Sequence, residues 1–253
     1  MLELTIYLVV LVLLVFGLVK LIDKFVSPKG RTIVSVVLWI VSIFLGYLIY
    51  SSVMKPIKFD QEKNARYEVA VRKMLDLKKA QSGYKSVKGE YASTFEQLIN
   101  FIENEKFEIV SRKDTVVIDA AKNAAFGITT DASGEGGFFK DVVLTTSLGS
   151  ISVKDSLFKN SDRYKHLNAV RFGDLVVPVT LKTAFISRND LKVSVFQSTI
   201  DKNLLLSDLD QELVANENKV ESIDEINGDK IILGSLEEAS LTGNWPKKYG
   251  SNE

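Results

Sequence analysis

The sequence predicts an α+β protein: a two-helix transmembrane hairpin, then a helix-turn-helix module, then a mainly antiparallel β domain. Three observations predict it. Two long apolar runs open the chain, a stripe of apolar residues at helical spacing follows them, and from Lys106 onward short alternating runs are punctuated by glycine and turn residues. The organisation reads as 1–55 for the hairpin, 56–106 for the helical module, 107–243 for a soluble α+β domain and 244–253 for a flexible tail.

The apolar runs are LTIYLVVLVLLVFGLVKLI, from Leu4 to Ile22, and IVSVVLWIVSIFLGYLIYSSV, from Ile33 to Val53. Each is close to the roughly 20 residues a helix needs to cross a bilayer. Neither carries a charge at its centre, and Lys20 lies near enough to an end to snorkel. No basic region precedes the first run and no small-x-small site follows it, so it reads as a retained helix rather than a cleaved signal. Lys20, Lys24, Lys29 and Arg31 between the runs favour a cytoplasmic hairpin tip, nearly balanced by Lys55, Lys58, Lys63 and Arg66 after the second. With no ionisable group at mid-membrane depth, a proton or sodium channel is disfavoured.

Pro56 is expected to end the second membrane helix, and Asp60 to cap a new one. There Tyr67, Ala70, Val71, Met74, Leu77, Gln81 and Tyr84 form the apolar stripe, while Lys63, Arg66, Arg72, Lys73, Lys78 and Lys79 are assigned to the opposite, solvated face. Among these, Arg66, Arg72, Lys73, Lys78 and Lys79 are the candidate contacts for acidic partners or lipid head groups. Gly83 and Gly89 should end the helix and turn the chain. Ser93 and Glu96 then read as a capping box opening TFEQLINFIENE, with Phe95, Leu98, Ile99 and Ile102 buried.

Farther on, KFEIVSR and TVVID read as short strands, DASGEGG as a mobile loop, and DVVLTTSLGSISVKDSLF as one or two strands. DLVVPVTLKTAFISRNDLKVSVFQS reads as two strands joined at Arg188, Asn189 and Asp190. A helix is expected in IDKNLLLSDLDQELVANENK, and a strand ending at Gly234 with a helical turn after it.

Composition narrows the chemistry. The 253-residue chain has no cysteine and a single histidine, His166, so thiol nucleophiles, disulfides and multi-histidine or cysteine metal sites are excluded. No cofactor, metal or small-molecule substrate is predicted. The formal net charge is zero. However, basic residues crowd the region after the second apolar run, whereas Asp208, Asp210, Glu212, Glu217, Glu221, Asp224 and Glu225 make 201–229 acidic. The two can meet within one molecule, meet between neighbours, or stay separately solvated. Nucleic acid is set aside, because the basic helix lacks repeated stacking aromatics.

Ala80, Gln81, Tyr84, Gly89, Tyr91, Ser93 and Leu98 form a pattern that resembles the region after the membrane helix in type IV pilins and type II secretion pseudopilins. The resemblance implies that Gln81, Tyr84, Gly89 and Tyr91 build a structural turn. It covers a small part of the chain. Lys29 and Gly30 are followed by Arg31 and no glutamate occupies the early helix, which departs from a prepilin leader. KFDQEKNARYEVAVRKMLDLKKAQSGYKSVKGEYASTFEQLINFI, ISVKDSLF and GSLEEASLTGNW are similar to a family of uncharacterised membrane-anchored proteins of Bacteroidota. That resemblance implies a multi-pass inner-membrane protein with a periplasmic soluble domain.

The expectation is therefore a non-enzymatic structural or scaffolding subunit of an envelope assembly such as a secretion, pilus-like or gliding apparatus. Its partners would be the bilayer, other envelope proteins and further copies of itself. The alternatives are a membrane-bound hydrolase using Asp208, Asp210 and Glu212, and an envelope sensor.

Overall fold

The computed structural model describes residues 13, 15–17, 19–20, 28–128, 137–159, 161–188 and 191–250. The chain divides into two compact units, Met1–Gln61 and Glu62–Glu253.

In the first unit Leu13, Val15, Phe16, Gly17, Val19 and Lys20 are helical; the rest of the first apolar run, and the link at 21–27, lie outside the described residues. Helix α1, Pro28–Lys88, begins in this unit. Its early part is apolar on every side: Ile33, Trp39, Ile43, Phe44, Tyr47 and Tyr50 are all exposed. The window of highest mean hydropathy, 2.5, is entirely unburied, and the helix is long and apolar enough to cross a membrane.

Pro56 does not end the helix, and Asp60 is not a cap; both lie inside α1. Proline removes one hydrogen bond and costs about 3 kcal/mol in a helix interior. The bias it places on the preceding residue is a preference rather than a stop, and kinked helices are its known exception.

In the second unit α1 presents the anticipated stripe. Tyr67, Ala70, Val71, Met74, Leu77, Ala80 and Gln81 are all fully buried. Gly83 does not break the helix. It sits where a Cβ would come 2.9 Å from Phe107 Cζ and 3.2 Å from Leu157 Cδ1, so its role is close packing. Gly89 does end α1, at φ +82, with its N–H donating to Lys85 O at 2.9 Å.

Helix α2, Phe95–Asn104, is capped one residue later than anticipated. Thr94 accepts from the Gln97 N–H at 3.2 Å, and Gln97 Oε1 accepts from the Ser93 N–H at 3.1 Å. Gln97 thus does the work assigned to Glu96. The buried residues are Leu98, Phe101 and Ile102.

Strand β1, Lys106–Ile118, pairs antiparallel with β2, Phe139–Ser152, in a two-stranded ribbon with a bulge between Ile109 and Val110. KFEIVSR and TVVID are therefore one strand. Between β1 and β2 lies α3, Ala120–Ala125; most of the anticipated DASGEGG loop lies outside the described residues. Helix α4, Val153–Phe158, and a 3-10 turn, Arg163–His166, follow the ribbon.

Strands β3, Ala169–Phe172, and β4, Leu175–Pro178, form a short hairpin. The main sheet is antiparallel, β5–β6–β7, from Thr180–Arg188, Leu191–Asp201 and Lys230–Gly234. The β5–β6 hairpin falls where anticipated, with Arg188 opposite Leu191; Asn189 and Asp190 lie outside the described residues. Phe196, Ile200, Ile231 and Leu233 of this sheet are fully buried. The helix expected after β6 is split into α5, Lys202–Leu205, and α6, Gln211–Glu217, capped by Asp201 and Asp210. After Gly234 the chain bends instead of making a helical turn.

Within residues 244–250, expected as a flexible tail, Trp245 and Tyr249 are packed against the domain. Trp245 is 1% exposed, and a Cβ on Gly243 would fall within 2.3 Å of its ring. Tyr249 meets Tyr67 edge-on at 5.8 Å and its hydroxyl bonds Asn64. The large apolar area of a buried tryptophan outweighs the local turn signals of Gly243, Pro246 and Gly250.

Candidate interaction site

The turn residues are brought together by one buried amide. Gln81, fully buried, donates from Nε2 to Ala92 O at 2.9 Å and accepts the Ala92 N–H on Oε1 at 2.9 Å. It satisfies both backbone groups of a residue that leaves the helix and has no ladder partner. Tyr84 and Tyr91 go to opposite neighbours. Tyr84 packs edge-on against Phe101 of α2 at 5.1 Å, and Tyr91 against Phe196 of β6 at 4.7 Å. Tyr91 is further tied by its N–H to Ser194 Oγ at 3.1 Å, while Lys85 Nζ reaches Ser194 O at 3.0 Å and lies 4.4 Å from the Tyr91 ring. The turn therefore fastens α1 to the main sheet as well as to α2.

The basic face divides into distinct environments. Lys63 and Arg66, assigned to solvent, are each 4% exposed. Arg66 bonds Asp208 through both terminal nitrogens, one of them at 2.8 Å to Oδ2, and donates to Leu205 O at 2.8 Å. The Asp208 hydrogen bond holds the Arg66 guanidinium above its ordinary pKa and the Asp208 carboxyl below the usual carboxylate value. Lys63 Nζ donates to Glu217 Oε2 at 2.9 Å, and Tyr67 Oη to Glu217 Oε1 at 3.1 Å.

Glu217 also faces Lys202, whose buried ammonium donates to Ile226 O at 2.9 Å and Gly228 O at 2.8 Å. Burial pushes the Lys202 pKa down, with Glu217 opposing; burial and Glu217 both push the Tyr67 hydroxyl up. Hence the basic and acidic regions meet within one molecule. Their segregation along the sequence was the signal, but periodicity placed Lys63 and Arg66 on the wrong side. A long cation whose partner is far away in sequence reads as surface until that partner is known.

The remaining candidates differ in exposure. Arg72 is exposed and pairs with Glu68 at 2.8 Å, one helical turn away. Lys73 is half-buried, and burial depresses its ammonium against the pull of Asp76. Lys78 Nζ is buried without a hydrogen-bond partner among the described residues. Lys79 is exposed and lines a cavity beside α4. The structure does not gather these groups into one patch with Arg66.

Nor do the acidic candidates converge. Asp208 is held by Arg66, Asp210 caps α6 by accepting the N–H groups of Glu212 and Leu213, and Glu212 lies in the first turn of α6. Each carboxylate has a separate local task.

The β1–β2 ribbon exposes a series of apolar side chains in the second unit. Val116 is 60% exposed, Val143 55%, Leu144 51% and Leu148 67%. Among the described residues neither strand pairs with a third, so both outer edges keep free backbone donors and acceptors. A lone two-stranded ribbon is marginal in water, and apolar side chains on one cost solvation until something covers them. Alternation identified the strands but carries no information on how many neighbours they gain.

No protein-family model, no curated protein and no solved structure matches the chain.

Proposed function

We propose that the protein is a membrane-anchored structural or scaffolding subunit of a bacterial envelope assembly, held by a transmembrane hairpin with its soluble domain in the periplasm. The observation that carries the assembly reading is the β1–β2 ribbon, with its open edges and exposed Val116, Val143, Leu144 and Leu148. Such a ribbon gains stability when another chain adds a strand or covers a face. The anchor is supported by the apolar, unburied first part of α1, which gains only by leaving water. The periplasmic placement is supported by the absence of cysteine and by the likeness to envelope proteins described above.

The test places a photo-crosslinking side chain at Leu144 and at Leu148 of the full chain in cells, followed by detergent extraction. Discrete adducts at these positions, absent from a control at exposed Arg72, are the expected result. A chain that stays monomeric with no adduct at either position overturns the reading. A reporter fused after Glu253 checks the compartment independently; a cytoplasmic signal overturns the periplasmic placement.

A further inference from the structure

A cavity of about 760 Å3 opens beside α4, and its lining combines three cations with two hydroxyls: Lys79, Lys159 and Arg163 with Ser156 and Ser161. The volume falls within the range of small-molecule sites, about 300–1,000 Å3. Arg163 is pre-positioned. Its Nε is ion-paired with Asp76 Oδ2 at 3.0 Å and its guanidinium lies 5.6 Å from the centre of the Phe158 ring. Asp76 is only 6% exposed and Phe158 2%, so the supports are fixed.

Positive charge around the cavity is only partly compensated. The ammonium groups of Lys79 and Lys159 make no hydrogen bond or ion pair among the described residues. Asp162 is already shared, at 3.3 Å from Lys154 and 3.5 Å from Lys165. Asp76 faces Arg163 with Lys73, Lys79 and Arg72 also near it. An anion entering here meets unspent cationic charge.

The backbone adds a separate observation. Among the described non-glycine residues Lys159 alone has a positive φ, 54° with ψ −135°. Glycine takes that conformation freely, whereas a residue with a Cβ is strained in it. Strain of this kind concentrates where a side chain is needed for binding.

We propose that this cavity binds a small phosphate monoester. Arg163, Lys79 and Lys159 take the three phosphoryl oxygens, Ser156 and Ser161 donate their hydroxyls, and Leu157 faces the ester group. A doubly charged group with three acceptor oxygens matches three separate cations better than a carboxylate, which one guanidinium fork satisfies. The proposal introduces a ligand beyond the sequence reading and does not depend on the assembly role.

The experiment uses the full chain in nanodiscs of neutral phosphatidylcholine, titrated calorimetrically with phenyl phosphate, beside discs doped with phosphatidic acid. Binding of phenyl phosphate identifies a soluble ligand. A raised thermal midpoint in the doped discs, with phenyl phosphate then excluded, identifies a lipid head group. In either case Lys79→Gln should weaken binding about tenfold with the thermal midpoint unchanged. Lys159→Gly should weaken it similarly while raising the midpoint, because glycine relieves the backbone. The proposal is overturned if neither probe has an effect, or if both variants bind as the parent does.

Discussion

At the residue scale, Gln81 shows how one side chain can substitute for secondary structure. Its amide pairs with both backbone groups of Ala92, which is 1% exposed and belongs to neither helix nor strand. Replacing Gln81 with Ala leaves a buried donor and a buried acceptor without partners, each worth about 1–3 kcal/mol. Gln81→Ala is therefore expected to lower stability by roughly 2–6 kcal/mol, read from denaturant unfolding of the detergent-solubilised chain. Gln81→Glu keeps the acceptor for the Ala92 N–H but sets an oxygen against the Ala92 carbonyl, so it should not restore the loss. The Ala-Gln spacing before a glycine turn was visible in the sequence. The bond itself was not, because a helical stripe says which residues face inward and nothing about which backbone groups lack partners.

Elements differ in how far local pattern determined them. The stripe of α1 after Tyr67 follows the sequence because burial on one face repeats with the helical period. The joints were harder. Gly83 looked like a stop, yet it is a contact point beneath Phe107 and Leu157. Gly83→Ala improves helix propensity by about 1 kcal/mol but forces the Phe107 ring aside at a typical overpacking cost of about 1–3 kcal/mol. The expected result is a modest net loss of stability, and Gly83→Ala combined with Phe107→Leu should recover part of it. The ribbon makes a second prediction. Amides of β1 and β2 should exchange hydrogen faster than those of β6, which is paired on both sides by β5 and β7. Equal protection of ribbon and central strand in the isolated chain would contradict the reading of the ribbon as unsupported.

For the molecule as a whole, the sequence located the charges but not their meeting. The acidic 201–229 region and the basic first half were apparent from composition, whereas the Arg66–Asp208 pair joins residues 142 positions apart. No window of sequence spans that distance, and nothing in either segment names its partner. The pair also sets a pH response. Arg66 holds the Asp208 carboxyl below its ordinary value, so in the folded chain Asp208 gives up its proton more readily than in the unfolded chain. That stabilisation is present above the unfolded pKa, about 4, and is lost as pH falls through the depressed folded value. Asp208→Asn lacks this term. The stability gap between parent and variant is thus expected to narrow as pH drops below about 4, and a gap constant from pH 7 to pH 3 would refute the assignment.

The buried charges also impose an order on synthesis. Gln81 finds Ala92 only 11 residues away, so the first clasp can close as soon as α2 leaves the ribosome. Lys63 has to find Glu217 across 154 residues. At translation rates of about 5–20 residues per second, roughly 8–30 s separate the two residues, while the sheet is still being made. A ribosome stalled before α6 would hold a chain whose turn is built and whose seam between the basic start and the acidic end of the domain is open.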